Sequence, residues 1–500
     1  MIFRNSIANF IGQLIFPVIS IILVPFYIHY LGLEGYGLVG FFSMLLILLN
    51  IFTKGLGSAL QREFARRDGL LELRPTTPGL LRTFEITYWI IGFVLGLVLI
   101  LFSGLLSTDW LKTETITPET LRICLLLISV SIAVTFPNSV YQAVFIGAQR
   151  QVVGNTLNSG FAIMQAILSA IVVWLWQSVV GFYINSVVIA VIQLLVTRYL
   201  AYRVLPAPEQ PQNIIFDWSE IKKLWKISMD LIWINGIGLV ITQADRVVIS
   251  RLLPISFLGI YNIGVSGARL LDTFYAPFLS ATYPQTCQLA QLNDLTDFAR
   301  HLIRNTKVMM VICMTVGLPL SFFAPEILAI WTRNTEVIMG GSAVLSVYVI
   351  GYILLSYATV FYQGIMALGK TRYTTWYVTL ALLWYPLTVL FLVNRLQIVG
   401  AAWAWILYAG TSLVMNFAVM IGILLRANLV RTYTERIVLT TLAGIVVSLS
   451  ARSMASSFYP DLIWGRMFLA GLGAIVTASV CYIICFGFGI PDELKAIFEK

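Results

Sequence analysis

Residues 257–283 read FLGIYNIGVSGARLLDTFYAPFLSATY, and this stretch decides how the chain is interpreted. It is long and apolar enough to cross a bilayer, yet it carries Arg269 and Asp272 near its middle. A charged side chain at mid-bilayer depth costs roughly 2.5 kcal/mol or more when it faces lipid, so both are expected to face a polar path through the protein. The stretch therefore indicates a membrane protein that moves something polar.

The composition extends this interpretation to the whole chain. Of its 500 residues, 59% are hydrophobic and only 11% are charged, and the mean hydropathy is +0.88. Apolar runs of about 20 residues recur throughout, which predicts an all-α polytopic membrane protein. Fourteen spans are predicted, and they start near Ser6, Gly37, Phe84, Leu121, Asn155, Gly181, Ile227, Ser256, Val308, Gly341, Tyr373, Ile398, Ile437 and Leu462.

The basic residues predict the orientation. If the N-terminus lies inside, most of the 32 Lys and Arg residues fall in cytoplasmic loops, so both termini are expected to be cytoplasmic. This bias explains the net charge of +9, and no nucleic-acid partner is indicated. The first span contains Pro17 and Pro25 and lacks a small-residue cleavage site, which favours a retained helix. The absence of an Asn-x-Ser/Thr sequon fits a bacterial inner membrane.

A polar linker from Tyr202 to Lys226 divides the chain. Its sequence DWSEIKKLWKIS, which starts at Asp217, resembles a capping box formed by Asp217 and Glu220. The mixture of Trp and Lys that follows predicts a helix on the inner membrane surface. The predicted organisation is a six-helix half (1–201), the linker (202–226), a second six-helix half (227–430) and a terminal helix pair (431–500).

The two halves share a weak internal repeat. LGLEGYG (31–37) matches LPISFLG (253–259) at an offset of 222 residues, and GAQR (147–150) matches GKTR (369–372) at the same offset. Because each half has an even number of spans, the repeats run parallel and are related by an axis along the membrane normal. Transporters built in this way bind their substrate between the halves.

The chain resembles a known family. The opening SIANFIGQLIFPVISIILVPFYIHYLGLEGYGLVGF (6–41), the LG-x-x-x-YG turn, its LP-x-x-x-LGIYN echo and the G-x-x-R turns are similar to the O-antigen-type oligosaccharide flippases of the multidrug/oligosaccharidyl-lipid/polysaccharide exporter superfamily. The resemblance implies two six-helix lobes around a V-shaped central cleft, with two additional C-terminal helices. It also implies a polyprenyl-diphosphate-linked oligosaccharide as cargo, moved to the outer leaflet, and polymerase and chain-length regulator partners.

Helical stripes of polar residues predict the faces that line the cleft. Three cations form a possible ladder across the membrane: Lys54 near the inside, Arg269 midway and Arg246 near the outside. A diphosphate suits such a ladder, because Arg binds phosphate oxygens in a bidentate manner. The alternatives are close packing through the small stripe residues and a structural ion pair of Arg269 with Asp272. The remaining candidate substrate-binding residues are Asn262, Asn50, Asn235 and Gln13.

Energy coupling is less constrained by the sequence. An interior-negative potential favours the export of an anion by about 2.3 kcal/mol per charge per 100 mV, so no coupling ion is required. Asp272, Asp245 and Asp230 are nevertheless candidates to bind Na⁺ or a proton. The cysteines and histidines lack metal-ligand spacing, so neither a metal nor another cofactor is indicated.

Three other functions are considered. A multidrug or small-cation exporter would present mainly carboxylates and aromatics to its cleft, whereas the predicted stripes carry three cations. A membrane enzyme of polysaccharide assembly would need an acid–base pair, a metal-binding carboxylate pair or a Gly-rich phosphate loop, and the predicted loops contain none of these. A passive scramblase or an assembly scaffold is compatible with the sequence.

Overall fold

The computed structural model describes residues 2–69, 77–205, 216–292, 295–424, 427–459 and 462–486. Almost all of these residues are helical, and the described part contains a single isolated bridge, between Lys112 and Pro254. The predicted all-α class is therefore confirmed. Contacts separate the chain into two compact units, 1–259 and 260–500. The four-part division at 201, 226 and 430 stays a prediction.

The first unit is built from six helices and the beginning of a seventh. Helix α6 packs along α1, and α3 lies against both α2 and α5. A five-residue π-helical segment, Leu106–Trp110, follows α2. The helices are α1 (Ile2–Gly69), α2 (Thr77–Leu105), α3 (Pro118–Gly147), α4 (Gln151–Trp176), α5 (Val179–Val204), α6 (Trp218–Leu252) and the start of α7 (Ile255–Gln291).

The second unit contains the rest of α7 and six further helices. Helix α10 packs against α8 and α11, while α12 and α13 pair with each other on α8. Buried Glu326 of α9 accepts hydrogen bonds from Arg452 of α12 and from Arg466 of α13, the latter at 3.1 Å. These bonds fasten the C-terminal pair to the unit. The helices are α8 (Leu295–Phe322), α9 (Ala324–Thr332), α10 (Thr335–Ala367), α11 (Thr371–Leu424), α12 (Ala427–Phe458) and α13 (Ile463–Phe486).

Ten of the described helical segments are long and apolar enough to cross a membrane. Helices α6 and α7, on which the predicted seventh and eighth spans fall, are not among these ten. Two of the long helices are interrupted, α1 at Gly32 and α11 at Gln397, so each of them is two helices in succession. The count of fourteen spans stays a prediction.

The first predicted repeat brings its two turns into contact. A Cβ atom on Gly37 would lie 2.1 Å from the carbonyl oxygen of Ile255, and one on Gly259 would lie 2.6 Å from that of Leu33. Gly37 and Gly259 are equivalent at the predicted offset of 222 residues, and they approach each other backbone to backbone. The absence of a side chain at both positions permits the close packing at this end of the unit.

The second repeat is real, but its predicted alignment is wrong by two residues. The left-handed position after α3 is Gln149 (φ 57°), and the one after α10 is Gly369 (φ 68°). The same turn hydrogen bonds surround both, and Gln177 and Gln397, which also have a positive φ, lie at the same spacing. The structural offset is therefore 220 residues, because the turn geometry depends on the left-handed residue and not on the first glycine letter.

A group of charged side chains joins α1 to the start of α6. Buried Arg67 donates from Nε to Glu63 Oε1 at 2.8 Å and from Nη2 to Glu220 Oε2 at 2.6 Å. Arg66 also donates to Glu63, through two bonds of 2.8 and 2.6 Å. The guanidinium of Arg67 thus connects two helices that are distant in sequence.

The same contacts correct the predicted capping box. Asp217 is the N-cap of α6, and its side chain accepts from the backbone N–H of Ser219. Its own N–H donates to Thr83 Oγ1 at 3.1 Å, while Glu220 pairs with Arg67, so the reciprocal half of the box is not formed. The segment expected on the membrane surface is the first part of the uninterrupted helix α6.

The Gly37–Gly259 approach predicts that Gly37→Ala destabilises the protein. The added methyl group must displace backbone, and overpacking of this kind costs typically about 1–3 kcal/mol. The midpoint of thermal unfolding in detergent should fall. Gly238→Ala on α6 is the matched control, because a Cβ there meets nothing within 4 Å. A Gly37→Ala midpoint equal to that of the control would contradict the packing.

The charged group predicts a pH-dependent effect of Glu63→Gln. Hydrogen bonds from Arg66 chiefly, and then from Arg67, hold the pKa of Glu63 below its usual range. A depressed folded pKa means that the stabilisation is complete above the unfolded pKa, about 4.3, and is lost as the pH falls through the folded pKa. Wild type should therefore unfold at a higher temperature than Glu63→Gln at pH 7. This difference in unfolding temperature should disappear in acid.

The control for this experiment is Glu114→Gln, since Glu114 is an exposed loop residue of the same unit. Its unfolding midpoint should follow that of wild type across the pH range. If the difference in unfolding temperature between wild type and Glu63→Gln is as large in acid as at pH 7, the carboxylate charge contributes nothing to stability.

Candidate functional site

Arg269 lies in α7 with its side chain exposed. Its Nε donates to the hydroxyl oxygen of Tyr352 on α10 at 3.3 Å. A guanidinium carries five N–H donors, so the remaining four are available to another acceptor. The phenol orients the cation without neutralising its charge. Arg269 is therefore a positive charge held in a defined orientation in the middle of an apolar segment.

Asp272 lies one turn further along α7 and is half-buried. Its carboxylate interacts electrostatically with Tyr275, a buried residue one turn further along the helix. In the described part of the chain, Arg269 forms a hydrogen bond with Tyr352 and no ion pair with Asp272. The alternative of a structural ion pair between Arg269 and Asp272 is thus not the arrangement observed.

Aromatic side chains support the phenol that orients Arg269. Tyr348 stacks on Trp405 with ring centroids 5.1 Å apart and an interplanar angle of 7°, and Tyr352 lies 5.8 Å from the same indole. Gly351 permits this approach, because a Cβ there would lie 2.5 Å from the Trp405 ring. The stack links α10 to the second half of α11 and limits the movement of Tyr352.

The polar stripe predicted on α7 becomes more exposed along the helix. Asn262 is buried at 8% exposure and Ser266 and Thr273 are half-buried, whereas Ala276 and Ser280 are exposed. The beginning of the stripe packs inside its own unit, and the part beyond Arg269 is open. The open part of α7 is therefore the candidate site, and a binding role of Asn262 stays a prediction.

In the first unit, Arg246 and Asp245 are buried in α6, at 8% and 1% exposure. Arg246 Nη1 donates to Gln243 Oε1 at 3.0 Å and to the carbonyl oxygen of Thr242 at 3.3 Å. The carboxylate of Asp245 accepts from the backbone N–H of Arg246 at 2.8 Å. Both side chains are engaged within the protein, so their predicted roles in substrate binding and ion coupling need a change of conformation.

Five other predicted residues have side chains outside the described part of the structure. They are Gln13, Asn50 and Lys54 on α1, and Asp230 and Asn235 on α6. Of the predicted set, the structure therefore brings Arg269 and Asp272 together on the open face of α7, with Asn262 at its buried end. Across the described residues, no group of three or more His, Cys, Asp or Glu side chains gathers in a way that suits a metal ion.

Tyr352 and Trp405 were not predicted as part of the site. Tyr348 and Tyr352 are four residues apart on α10 and share a helix face, which is the signal that the sequence contains. That signal is weak, because tyrosine also occurs in apolar spans as a packing or interface residue.

Known solved structures share this fold. The lipid II flippase MurJ in an inward closed conformation superimposes with a TM-score of 0.72 over 95% of this chain and 98% of its own, at 14% identity. An inward-facing multidrug resistance MATE family transporter has a TM-score of 0.71 over 86% of this chain and 99% of its own, also at 14% identity. At these identities the likeness concerns the fold alone.

Sequence comparison is more specific. A protein named putative O-antigen transporter, from Shigella flexneri, is 24% identical over 405 residues, which cover 81% of this chain and 94% of that protein. The sequence profile of the family described as polysaccharide biosynthesis protein matches residues 2–290, more than half of the chain. The resemblance noted in the sequence is thereby confirmed, and the chain belongs to the polysaccharide biosynthesis protein family.

Proposed function

We propose that this protein moves a polyprenyl-diphosphate-linked oligosaccharide from the cytoplasmic to the outer leaflet. Family membership and the similarity to a putative O-antigen transporter support a polysaccharide-type cargo. The single observation that carries the proposal is the exposed guanidinium of Arg269, oriented by Tyr352 within an apolar segment. A cation held in this way has free donors for a phosphate oxygen.

The charge of the site favours an anionic cargo over an organic cation. A cation exporter would be expected to offer carboxylates and aromatic faces, whereas Arg269 would repel a positive solute. The nearby aromatic rings of Tyr352 and Trp405 are buried, at 6% and 5% exposure, so they support the site and do not form an open stacking surface. Arg269 then interacts with the diphosphate, while the sugar and the lipid tail contact other surfaces.

No chemical conversion is needed for this role. The arrangement around Arg269 contains a cation, a phenol and a carboxylate, and the mechanism asks each of them only to bind or orient charge. Exchange of hydration for Arg donors lets the diphosphate cross the apolar region. Asp272, one turn away, is the candidate to bind a proton or Na⁺ if transport is coupled to an ion.

Replacement of Arg269 tests this role. In proteoliposomes with a fluorescent polyprenyl-diphosphate oligosaccharide, Arg269→Gln should lose at least about tenfold in flipping rate, since a hydrogen bond to a charged group contributes about 1.5–3 kcal/mol. Arg395→Gln is the matched control, because Arg395 is an exposed Arg that contacts an aromatic ring, Phe391. Full transport by well-folded Arg269→Gln would refute the proposed contact.

The charge of the cargo predicts a dependence on membrane potential. When the interior is negative, outward movement of a diphosphate is favourable by about 2.3 kcal/mol per charge per 100 mV. The same assay should show faster outward flipping when the potential is imposed and slower flipping when an ionophore collapses it. Equal rates in both conditions would argue against net movement of negative charge.

A further inference from the structure

A second charged cluster lies in the first unit, and the transport proposal does not use it. Glu85 of α2 has 2% of its side chain exposed and accepts four hydrogen bonds. Two come from phenols, Tyr141 at 2.6 Å and Tyr202 at 2.8 Å. The other two come from guanidiniums, Arg198 Nε at 2.6 Å and Arg82 Nη1 at 2.9 Å.

The cluster contains more positive charge than its buried carboxylate requires. One Arg neutralises Glu85, and two Tyr hydroxyls already satisfy part of its hydrogen bonding, so the second Arg leaves a net charge of about +1. In the described part of the chain, Glu85 is the carboxylate with which Arg82 and Arg198 form ion pairs. A purely structural tie between α2, α3 and α5 needs no such excess.

Both guanidiniums face outward while the carboxylate holds them in place. The exposed fractions of the Arg82 and Arg198 side chains are 42% and 46%. Arg198 uses Nε for Glu85 and Arg82 uses Nη1, so each retains N–H groups with which it can bind another acceptor. Because Glu85 already fixes the two Arg side chains, binding of an anion here costs them little further conformational entropy.

The faces that carry the two cations continue as exposed apolar stripes. On α2, Arg82 shares its face with Trp89 and Phe93, which are 39% and 65% exposed. On α5, Arg198 shares its face with Leu195 and Val188, at 59% and 48%. By the 1.5 Å rise per residue, the α2 stripe extends about 27 Å from Arg82 to Ile100, close to the roughly 30 Å thickness of a hydrocarbon core.

A positive site at one end of a bilayer-length apolar surface has the chemistry of a lipid site. The basic residues predict that Arg82 and Arg198 lie on the cytoplasmic side, where anionic lipids attract cationic residues. We propose that Arg82 and Arg198, held by Glu85, bind the phosphate of a singly charged anionic phospholipid in the inner leaflet, with its acyl chains along α2 and α5. The excess charge of the cluster matches that of one such headgroup.

Native mass spectrometry of the purified full chain, titrated with phosphatidylglycerol or phosphatidylcholine, tests this site. Wild type should bind phosphatidylglycerol more tightly, and Arg198→Gln should weaken that binding about fivefold, since one cation near an anionic lipid contributes about 1 kcal/mol. Phosphatidylcholine binding should not change. Arg150→Gln is the matched control, because Arg150 is an exposed cation predicted on the same side.

A second variant separates lipid binding from folding. Glu85→Gln combined with Arg82→Gln and Arg198→Gln removes every charge of the cluster, so no buried carboxylate is left without its cations, and it should also lose phosphatidylglycerol affinity while keeping a near-wild-type unfolding midpoint. Excess inorganic phosphate should not displace the lipid, because the apolar stripes hold the chains. Unchanged phosphatidylglycerol binding in both variants, an equal loss in Arg150→Gln, or displacement by phosphate would overturn the proposal.

Discussion

The cost of placing charge in an apolar environment governs the arrangement of this protein. In the described part of the chain, two buried carboxylates are each paired with two Arg residues: Glu85 with Arg82 and Arg198, and Glu326 with Arg452 and Arg466. These pairs fasten helices within each unit. Arg269 differs, because its observed partner is a neutral phenol and its side chain is exposed. That contrast makes Arg269 the best candidate for contact with a charged cargo.

The turns show a second constraint, that of backbone approach. Gly37 and Gly259 meet where any Cβ would collide with a carbonyl group, and they are equivalent residues of the internal repeat. In the other repeated turn, Gln149 adopts the same left-handed conformation as Gly369. A glycine is thus required where two segments touch, whereas a turn at the surface tolerates Gln at a small conformational cost.

The sequence was sufficient for the helical class and the family, and it singled out Arg269 as a candidate because a charge within a long apolar run is visible without any structure. It was not sufficient for the partners of that charge. Tyr352 is 83 residues away and does not stand out among apolar neighbours. The ion pair of Glu85 was also not visible in the sequence, since Arg198 lies 113 residues further along the chain. Contacts of this kind depend on helix packing, which periodicity alone does not specify. The second repeat was misaligned because the sequence alignment pairs glycine residues, whereas the structural repeat pairs residues with the same backbone conformation.

We infer that the open face of α7 beyond Arg269 contacts a lipid-linked diphosphate. The most direct measurement is labelling of Ala276→Cys, two turns from Arg269 on the same exposed stripe, with a water-soluble thiol reagent after the five native cysteines are replaced by alanine. We expect rapid labelling that a polyprenyl-diphosphate oligosaccharide slows when Arg269 is present and does not slow in Arg269→Gln. No labelling, or equal protection with and without Arg269, would contradict it.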